Sequence, residues 1–210
     1  KFSWMENYFL KYLDPETLKG KTLLDLGCFT GGRLSAWYEN YELEKAYGID
    51  INPIFKVAAD EFASEKKINA DFKIGIGEKL PYQDNFFDFV VSTDTFEHVQ
   101  NLKITMDECY RVLKPGGSLL AVFPQFLQPF ESHLNFVTNL PCIHWFFNSD
   151  KVSKNYYEIL KERGESAKWY SGEKFSLEEW EKLPTLNGTS IRKFEKILDK
   201  NNWSNVKWIK

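Results

Sequence analysis

What this 210-residue chain has little of narrows its class before any motif is read. It has three cysteines, Cys28, Cys109 and Cys142, far apart and odd in number, with no pair at a metal-ligand spacing. That argues against a disulfide framework and a structural zinc, and predicts reduced thiols in a cytoplasmic protein. No apolar run approaches the ~20 residues that span a bilayer, and no charged-then-apolar leader is visible. The chain opens at Lys1 rather than methionine, so an N-terminal piece is expected to precede it. Internal repeats and low-complexity tracts are missing. So is an excess of one charge: 27 Lys and Arg face 30 Asp and Glu, a net charge of -3. A chain so balanced is not expected to hold nucleic acid by its phosphates. The triplets Asn187-Gly188-Thr189 and Asn202-Trp203-Ser204 carry no weight as glycosylation sites without a secretory leader.

What the chain does have is apolar mass. It is 43% hydrophobic and 17% aromatic, enough for one core and one domain over residues 1–210. Phe2 to Leu13 reads as a helix that Asp14-Pro15 ends. "TLLDL" (Thr22–Leu26) is a short apolar run that suits a strand buried on both faces. Leu34, Trp37, Tyr38 and Tyr41 follow at helical spacing. "KAYGID" (Lys45–Asp50) reads as a second strand. Asn52 and Pro53 then form a helix start, with Ile54, Val57, Ala58 and Phe62 as the expected buried stripe. "DFKIGI" (Asp71–Ile76) and "FFDFVVS" (Phe86–Ser92) read as the third and fourth strands. Leu102, Met106, Cys109, Tyr110 and Leu113 mark a helix that Lys114-Pro115-Gly116-Gly117 is expected to stop. "SLLAVFP" (Ser118–Pro124) reads as the fifth strand.

This rhythm predicts a parallel sheet with helices on both faces. Ligands of such sheets lie at the carboxyl ends of the strands, here after Leu26, Ile49, Ile76, Val91 and Phe123. Beyond Pro124 the rhythm breaks. Residues 125–188 read as an insertion over the sheet, a lid, with a capping-box signature at Ser176-Leu177-Glu178-Glu179. Ile191, Phe194, Ile197 and Leu198 resume a helical stripe, and "WSNVKWIK" (Trp203–Lys210) reads as a sixth strand.

"LLDLGCFTGG" (Leu23–Gly32) is a strand running through glycines into a helix, a place for a ligand that needs close backbone approach. "GKT" (Gly20–Thr22) does not make it a nucleoside triphosphate loop. That pattern needs glycine at position 15, which is Pro15, and a strand before the loop. The dinucleotide fingerprint G-x-G-x-x-G fits poorly, because Phe29 stands two residues after Gly27.

The third reading is carried by five motifs in order. They are Asp25-Leu26-Gly27-Cys28-Phe29-Thr30-Gly31, Asp50 in "YGIDINP", Leu80-Pro81-Tyr82, "FDFVVSTDTFEHV" (Phe87–Val99) and "RVLKPGG" (Arg111–Gly117). Over about residues 20–124 the chain resembles the class I S-adenosylmethionine-dependent methyltransferases, near the type 11 methyltransferase domain group. The resemblance implies a Rossmann-like α/β fold, with a mostly parallel sheet, helices on both faces and an inserted lid after the fifth strand. It implies a seventh, antiparallel strand, expected either beyond this fragment or absent.

The implied cofactor is S-adenosyl-L-methionine. Asp25, Gly27, Cys28, Phe29 and Gly31 would stand around its amino-acid end, with Asp25 ordering the loop and reaching the ammonium through water. Asp50 would accept both ribose hydroxyls and Ile51 would lie on the adenine. Thr93, Asp94 and Phe96 would face the sulfonium, Asp94 having helix capping as its alternative. Phe29 departs from the family's glycine and is expected beside the cofactor or under the N-terminal helix. Ile76 replaces an aspartate that bonds the adenine amino group, leaving adenine to the backbone near Gly77 and Glu78. His98 reads as a structural, hydrogen-bonded histidine.

The acceptor is expected to be a small molecule, bound by the insertion. An Asn/Asp-Pro-Pro-Tyr motif, which marks enzymes acting on base or glutamine amino groups, is missing after the fourth strand. "FPQFLQPFESHLNFVTNLPCIHWFF" (Phe123–Phe147) is similar to a segment of methyltransferases whose genes accompany cell-surface polysaccharide synthesis. A sugar or lipid-linked hydroxyl follows as the expected acceptor, with His133 as candidate base. The alternative is that His133 and His144 hydrogen-bond within the lid. Two other functions stay open: a catalytically silent methyltransferase-like binding protein, suggested by Phe29 and Ile76, and a dinucleotide oxidoreductase.

Overall fold

The computed structural model describes residues 9–124, 129, 138–163, 189–198 and 203–207. Five strands form one parallel sheet in the order β3-β2-β1-β4-β5. They are β1 (Thr22–Leu26), β2 (Lys45–Asp50), β3 (Ala70–Ile74), β4 (Phe87–Thr93) and β5 (Leu113–Val122). The first two are the segments expected from the sequence. Between them runs α1 (Gly32–Tyr41), between β2 and β3 runs α2 (Pro53–Lys66), and before β5 comes α3 (Leu102–Val112). Beyond β5 lie α4 (Ile143–Phe146), α5 (Ser149–Arg163) and α6 (Ile191–Leu198). Successive side chains of a strand face opposite sides, so each face of the sheet carries its own core. Leu24, Leu26, Ile49, Phe87 and Val90 meet Met106 of α3 and Phe194 of α6 on one side. Leu23, Ala46, Phe72, Phe89 and Val91 meet Trp37 of α1 and Ala59 of α2 on the other.

The chain steps from β1 outward to β3, then returns to place β4 on the other side of β1. That reversal opens a crevice at the carboxyl ends of β1 and β4, where open α/β sheets hold ligands. Two clamps lie where β4 and β5 enter the sheet. At the entry side, Asp88 accepts from the Thr22 amide at 3.0 Å and its hydroxyl at 2.8 Å, and from Lys114 at 2.8 Å. Beside the starts of β4 and β5, Arg111 forks onto Glu108 at 2.7 Å through two nitrogens and donates to the Leu80 and Tyr82 carbonyls at 3.0 and 2.7 Å. Glu108 in turn accepts from the Leu80 amide at 2.7 Å. The Leu80-Pro81-Tyr82 turn is thus held by α3, and Arg111 is a structural residue.

Several elements depart from the expected pattern. The buried face of α2 is Ala59 and Ala63, while Ile54 and Val57 are exposed. The small pair, four apart, lets the helix lie close on Phe72 and Gly31, whose Cβ would meet Ala59 at 3.2 Å. β5 begins at Leu113 directly after α3. Leu113 pairs with Phe87 and Ser118 with Phe89, so Lys114 to Gly117 bulge out of one continuous strand. β3 ends at Ile74, and Ile76 forms an isolated antiparallel bridge with Lys79. Among the described residues no sixth strand forms: Trp203 to Lys207 have no regular structure. Most of the expected N-terminal helix, the capping box at Ser176, and much of the 125–188 insertion lie outside the described residues. So do His133 and Glu131.

Candidate active site

The turn after β1 is built for close approach. Gly27 has φ 79° and a Cβ there would stand 2.0 Å from Thr95 Oγ1. Gly31 has φ 76° and a Cβ would stand 2.8 Å from Phe72. A left-handed backbone and two occupied Cβ positions leave glycine as the residue that fits both. The turn also spends its own amides. Gly27 and Cys28 donate to the Ile49 carbonyl at 2.9 and 3.1 Å, and Gly31 to the Cys28 carbonyl at 3.0 Å. The Phe29 amide donates to Asp50 Oδ2 at 2.9 Å. A phosphate cradle needs such amides turned outward, so this turn suits an uncharged or cationic ligand better than a diphosphate.

Asp50 ends β2 with both oxygens fixed, Oδ2 by Phe29 and Oδ1 by the Asn52 amide at 2.9 Å. Burial raises its carboxyl above the ordinary range, and these amides together with Arg33 pull it back. A carboxylate oxygen accepts more than one bond, so an oriented acceptor remains at the tip. Ile51, the next residue, is 50% exposed and Ile76 is 45% exposed, two apolar surfaces at the strand ends.

Asp25 is different. It is 1% exposed and neither carboxylate oxygen has a hydrogen-bond partner. Burial pushes its carboxyl up to about 6, opposed by Arg33 and helped by Asp50. Arg33, in the first turn of α1, reaches across the crevice. Its Nη2 donates to the Gly27 carbonyl at 2.9 Å and the Thr93 carbonyl at 3.5 Å. The tips of β1 and β4 therefore share one cation.

The structure thus gathers Asp25, Gly27, Phe29, Gly31, Asp50, Ile51 and Thr93 around the ends of β1, β2 and β4. Cys28 is placed otherwise. Its thiol is buried in the α1 and α2 core and pushed up by that burial, so only its backbone faces the turn. Phe29 has φ 51° and packs on Phe55 of α2 with ring centroids 3.9 Å apart. Gly77 is buried, a Cβ there lying 2.8 Å from Thr105. Glu78 Oε1 accepts from the Asn101 amide at 2.9 Å, which ties its side chain to α3.

Asp94 is exposed with φ 50° and its amide donates to the Val122 carbonyl at 2.9 Å. Of the described helices, the next, α3, starts at Leu102 and is capped by Asn101, not by Asp94. Phe96 faces the core, packed between Phe123 and Phe194 rather than toward the crevice. His98 Nε2 lies 3.8 Å from Glu97 Oε1. His144 is buried in α4. Sequence reasoning missed Arg33 and Phe55. A cation directly after Gly31-Gly32, at a helix start where cations are disfavoured, was the available signal for Arg33.

The sequence family described as "Methyltransferase domain" matches residues 24–121, the span from β1 to β5. Over these residues the chain matches the methyltransferase family that its five motifs resemble. Phosphoethanolamine N-methyltransferase 3 of Arabidopsis thaliana is 34% identical over 111 residues, which are 52% of this chain and 22% of that protein. Malonyl-[acyl-carrier protein] O-methyltransferase 1 of Coxiella burnetii is 33% identical over 145 residues, 68% of this chain and 48% of that one. The chain spans less than half the length of either. A solved structure of a protein from Pyrococcus horikoshii OT3 superposes with TM-score 0.52 at 31% identity, covering 59% of this chain and 57% of that one.

S-adenosylmethionine is the cofactor of this domain, and the site suits it. Its ribose diol matches the fixed acceptor Asp50. Its ammonium matches the buried, unpartnered Asp25. Its lack of phosphate matches a turn whose amides are spent. No group of three or more His, Cys, Asp or Glu suited to a metal ion occurs among the described residues, and no described helix is long and apolar enough to cross a membrane.

Proposed function

We propose that this chain transfers a methyl group from S-adenosylmethionine to a small-molecule acceptor. The observation that carries the reading is Asp50, held by the Phe29 and Asn52 amides at 2.9 Å each at the crevice between strand tips. A carboxylate oriented in this way before any ligand arrives reduces the ordering cost of gripping a ribose. The bound cofactor supplies an electrophilic methyl on a positively charged sulfur. The chain's task is to align an acceptor with that methyl and keep water away. Asp50 would hold the ribose, Ile51 and Ile76 the adenine faces, and Asp25 with the Gly27–Gly31 turn the amino-acid end.

For the acceptor we infer a hydroxyl of a sugar or lipid-linked precursor. What supports it is the aromatic segment Phe123–Phe147 after β5, with His133 as the base a hydroxyl requires. The two relatives named above act, by their names, on nitrogen and on oxygen, so residues 24–121 do not select the acceptor atom. The insertion over 125–188, a lid within one domain in this reading, is where selection would lie.

Calorimetric titration with S-adenosylhomocysteine tests the cofactor reading, with nicotinamide dinucleotides as comparison. Micromolar binding of the first alone is expected. No binding would leave the silent relative, and binding of a dinucleotide the oxidoreductase. Replacing His133 with alanine should then abolish methyl transfer to a hydroxyl acceptor while leaving S-adenosylhomocysteine affinity unchanged. Unchanged transfer would remove His133 from the reaction.

A further inference from the structure

Arg33 carries more donors than the fold uses. A guanidinium has five N–H groups on three nitrogens, and here a single nitrogen, Nη2, makes both bonds, to the Gly27 and Thr93 carbonyls. Nε and Nη1 bond to no described residue. The residue is half-buried and its idle nitrogens are not among the buried atoms, so they stay open to solvent or to a ligand. Its position is the second observation. Gly27 follows β1 and Thr93 ends β4, so Arg33 sits at the point where the strand order reverses. The third is Asp25, buried close enough for Arg33 to favour its ionised form, yet with both oxygens unpartnered. One cation with spare donors and one anion with spare acceptors thus flank the same crevice without pairing to each other.

A free amino-acid group is the complement of that arrangement. It presents a carboxylate and an ammonium on one carbon. We propose that Arg33 anchors the α-carboxylate at the amino-acid end of the cofactor through Nη1, whose two N–H groups are idle, while Nη2 stays on the strand tips. Arginine can hold the strand tips with one nitrogen and a carboxylate with another, which the single ammonium of lysine does less well. The ammonium then falls toward Asp25. The charges also balance. Two acids and one arginine leave the site at -1 when all are ionised, and S-adenosylmethionine carries +1. This rests on the methyltransferase reading above.

Two ligands separate the inference from that reading. S-adenosylhomocysteine has the amino-acid end, and methylthioadenosine is the same nucleoside thioether without it. Calorimetric affinities of both are measured for the wild type, Arg33→Met and Arg33→Lys. The expected result is a loss of about 10- to 100-fold for S-adenosylhomocysteine in Arg33→Met, with methylthioadenosine within about twofold of wild type. Arg33→Lys, which keeps the charge and loses the separate nitrogens that hold strand tips and carboxylate together, should fall between. Equal losses for both ligands would mean that Arg33 acts only by holding the Gly27 turn, and would overturn the proposal. Unchanged affinity for S-adenosylhomocysteine would overturn it too. If the wild type binds neither ligand, the methyltransferase reading itself fails, and the inference with it.

Discussion

Asp25 and Asp50 stand at the ends of adjacent strands, near the same arginine, and the fold treats them in opposite ways. Asp50 gives both oxygens to backbone amides. Asp25 is buried with neither oxygen bonded. A carboxylate fixed by amides is an oriented tool whose cost is met within the fold. A carboxylate buried alone destabilises the fold, and its presence makes sense where a cationic ligand compensates. The two acids therefore separate two kinds of work: one holds shape and grips neutral hydroxyls, the other waits for charge.

The largest effect should come from removing the first. Asp50→Ala deletes the acceptor for the Phe29 and Asn52 amides as well as the one offered to a ribose. Hydrogen bonds to a charged group contribute about 1.5–3 kcal/mol each, so S-adenosylhomocysteine affinity should fall by roughly 100-fold or more. A loss of less than about threefold would mean that the ribose is held elsewhere, and the contrast between the two acids would collapse.

The second effect is smaller and depends on pH. Burial holds the Asp25 carboxyl near 6 against 3.8 in an unfolded chain. Between those values the folded protein keeps a proton that the unfolded chain has released. Stability of the ligand-free protein should therefore fall as pH rises from 3.8 toward about 6, and level off above it. Asp50, raised in the same direction by burial, adds to this fall. A cationic ligand end favours the ionised carboxylate, so S-adenosylhomocysteine affinity should rise through the same window. Asp25→Asn should weaken binding roughly tenfold at pH 7.5, flatten most of the pH dependence of affinity, and leave or raise thermal stability. Thermal melts and titrations across pH 5 to 8 would decide this. A stability curve rising with pH through that window would show that Asp25 is ionised and satisfied in the fold.

The contrast also shows how far sequence reading reached. β1 and β2 were legible to the residue because short apolar runs between turn signals have few alternatives, and the Asn52-Pro53 start of α2 was legible from its capping chemistry. The buried face of α2 was misread because large apolar residues were favoured over Ala59 and Ala63. Close packing against Phe72 prefers the small ones, which hydrophobicity alone does not signal. Phe96 was misread for a related reason: a residue after a strand tip can turn back into the core, as it does onto Phe123 and Phe194. The position of Asp50 at the end of β2 was legible because the strand itself was. Arg33 was not, because its role depends on carbonyls of Gly27 and Thr93, sixty-odd residues apart in the chain and adjacent only once β4 has paired with β1.

The smallest effect belongs to the residue that joins the two strand tips, Phe29. Its amide bond to Asp50 is a backbone bond and survives substitution, so Phe29→Gly removes the ring and leaves the bond. Two consequences for stability oppose each other. Glycine relieves the left-handed φ of 51°, about 1 kcal/mol. It also loses the ring contact with Phe55, worth about 0.5–1.5 kcal/mol, and makes the unfolded chain more flexible. The net change in stability should stay within about 1 kcal/mol. Affinity carries the information. If the half-exposed ring lines the ligand, S-adenosylhomocysteine should bind a few-fold more weakly in Phe29→Gly, with the drop confined to dissociation. If affinity rises instead, the ring was obstructing the crevice, and Asp50 in the natural chain would be an oriented acceptor behind a partly closed door. That single sign decides whether the amide-fixed acid is a working grip or a remnant of one.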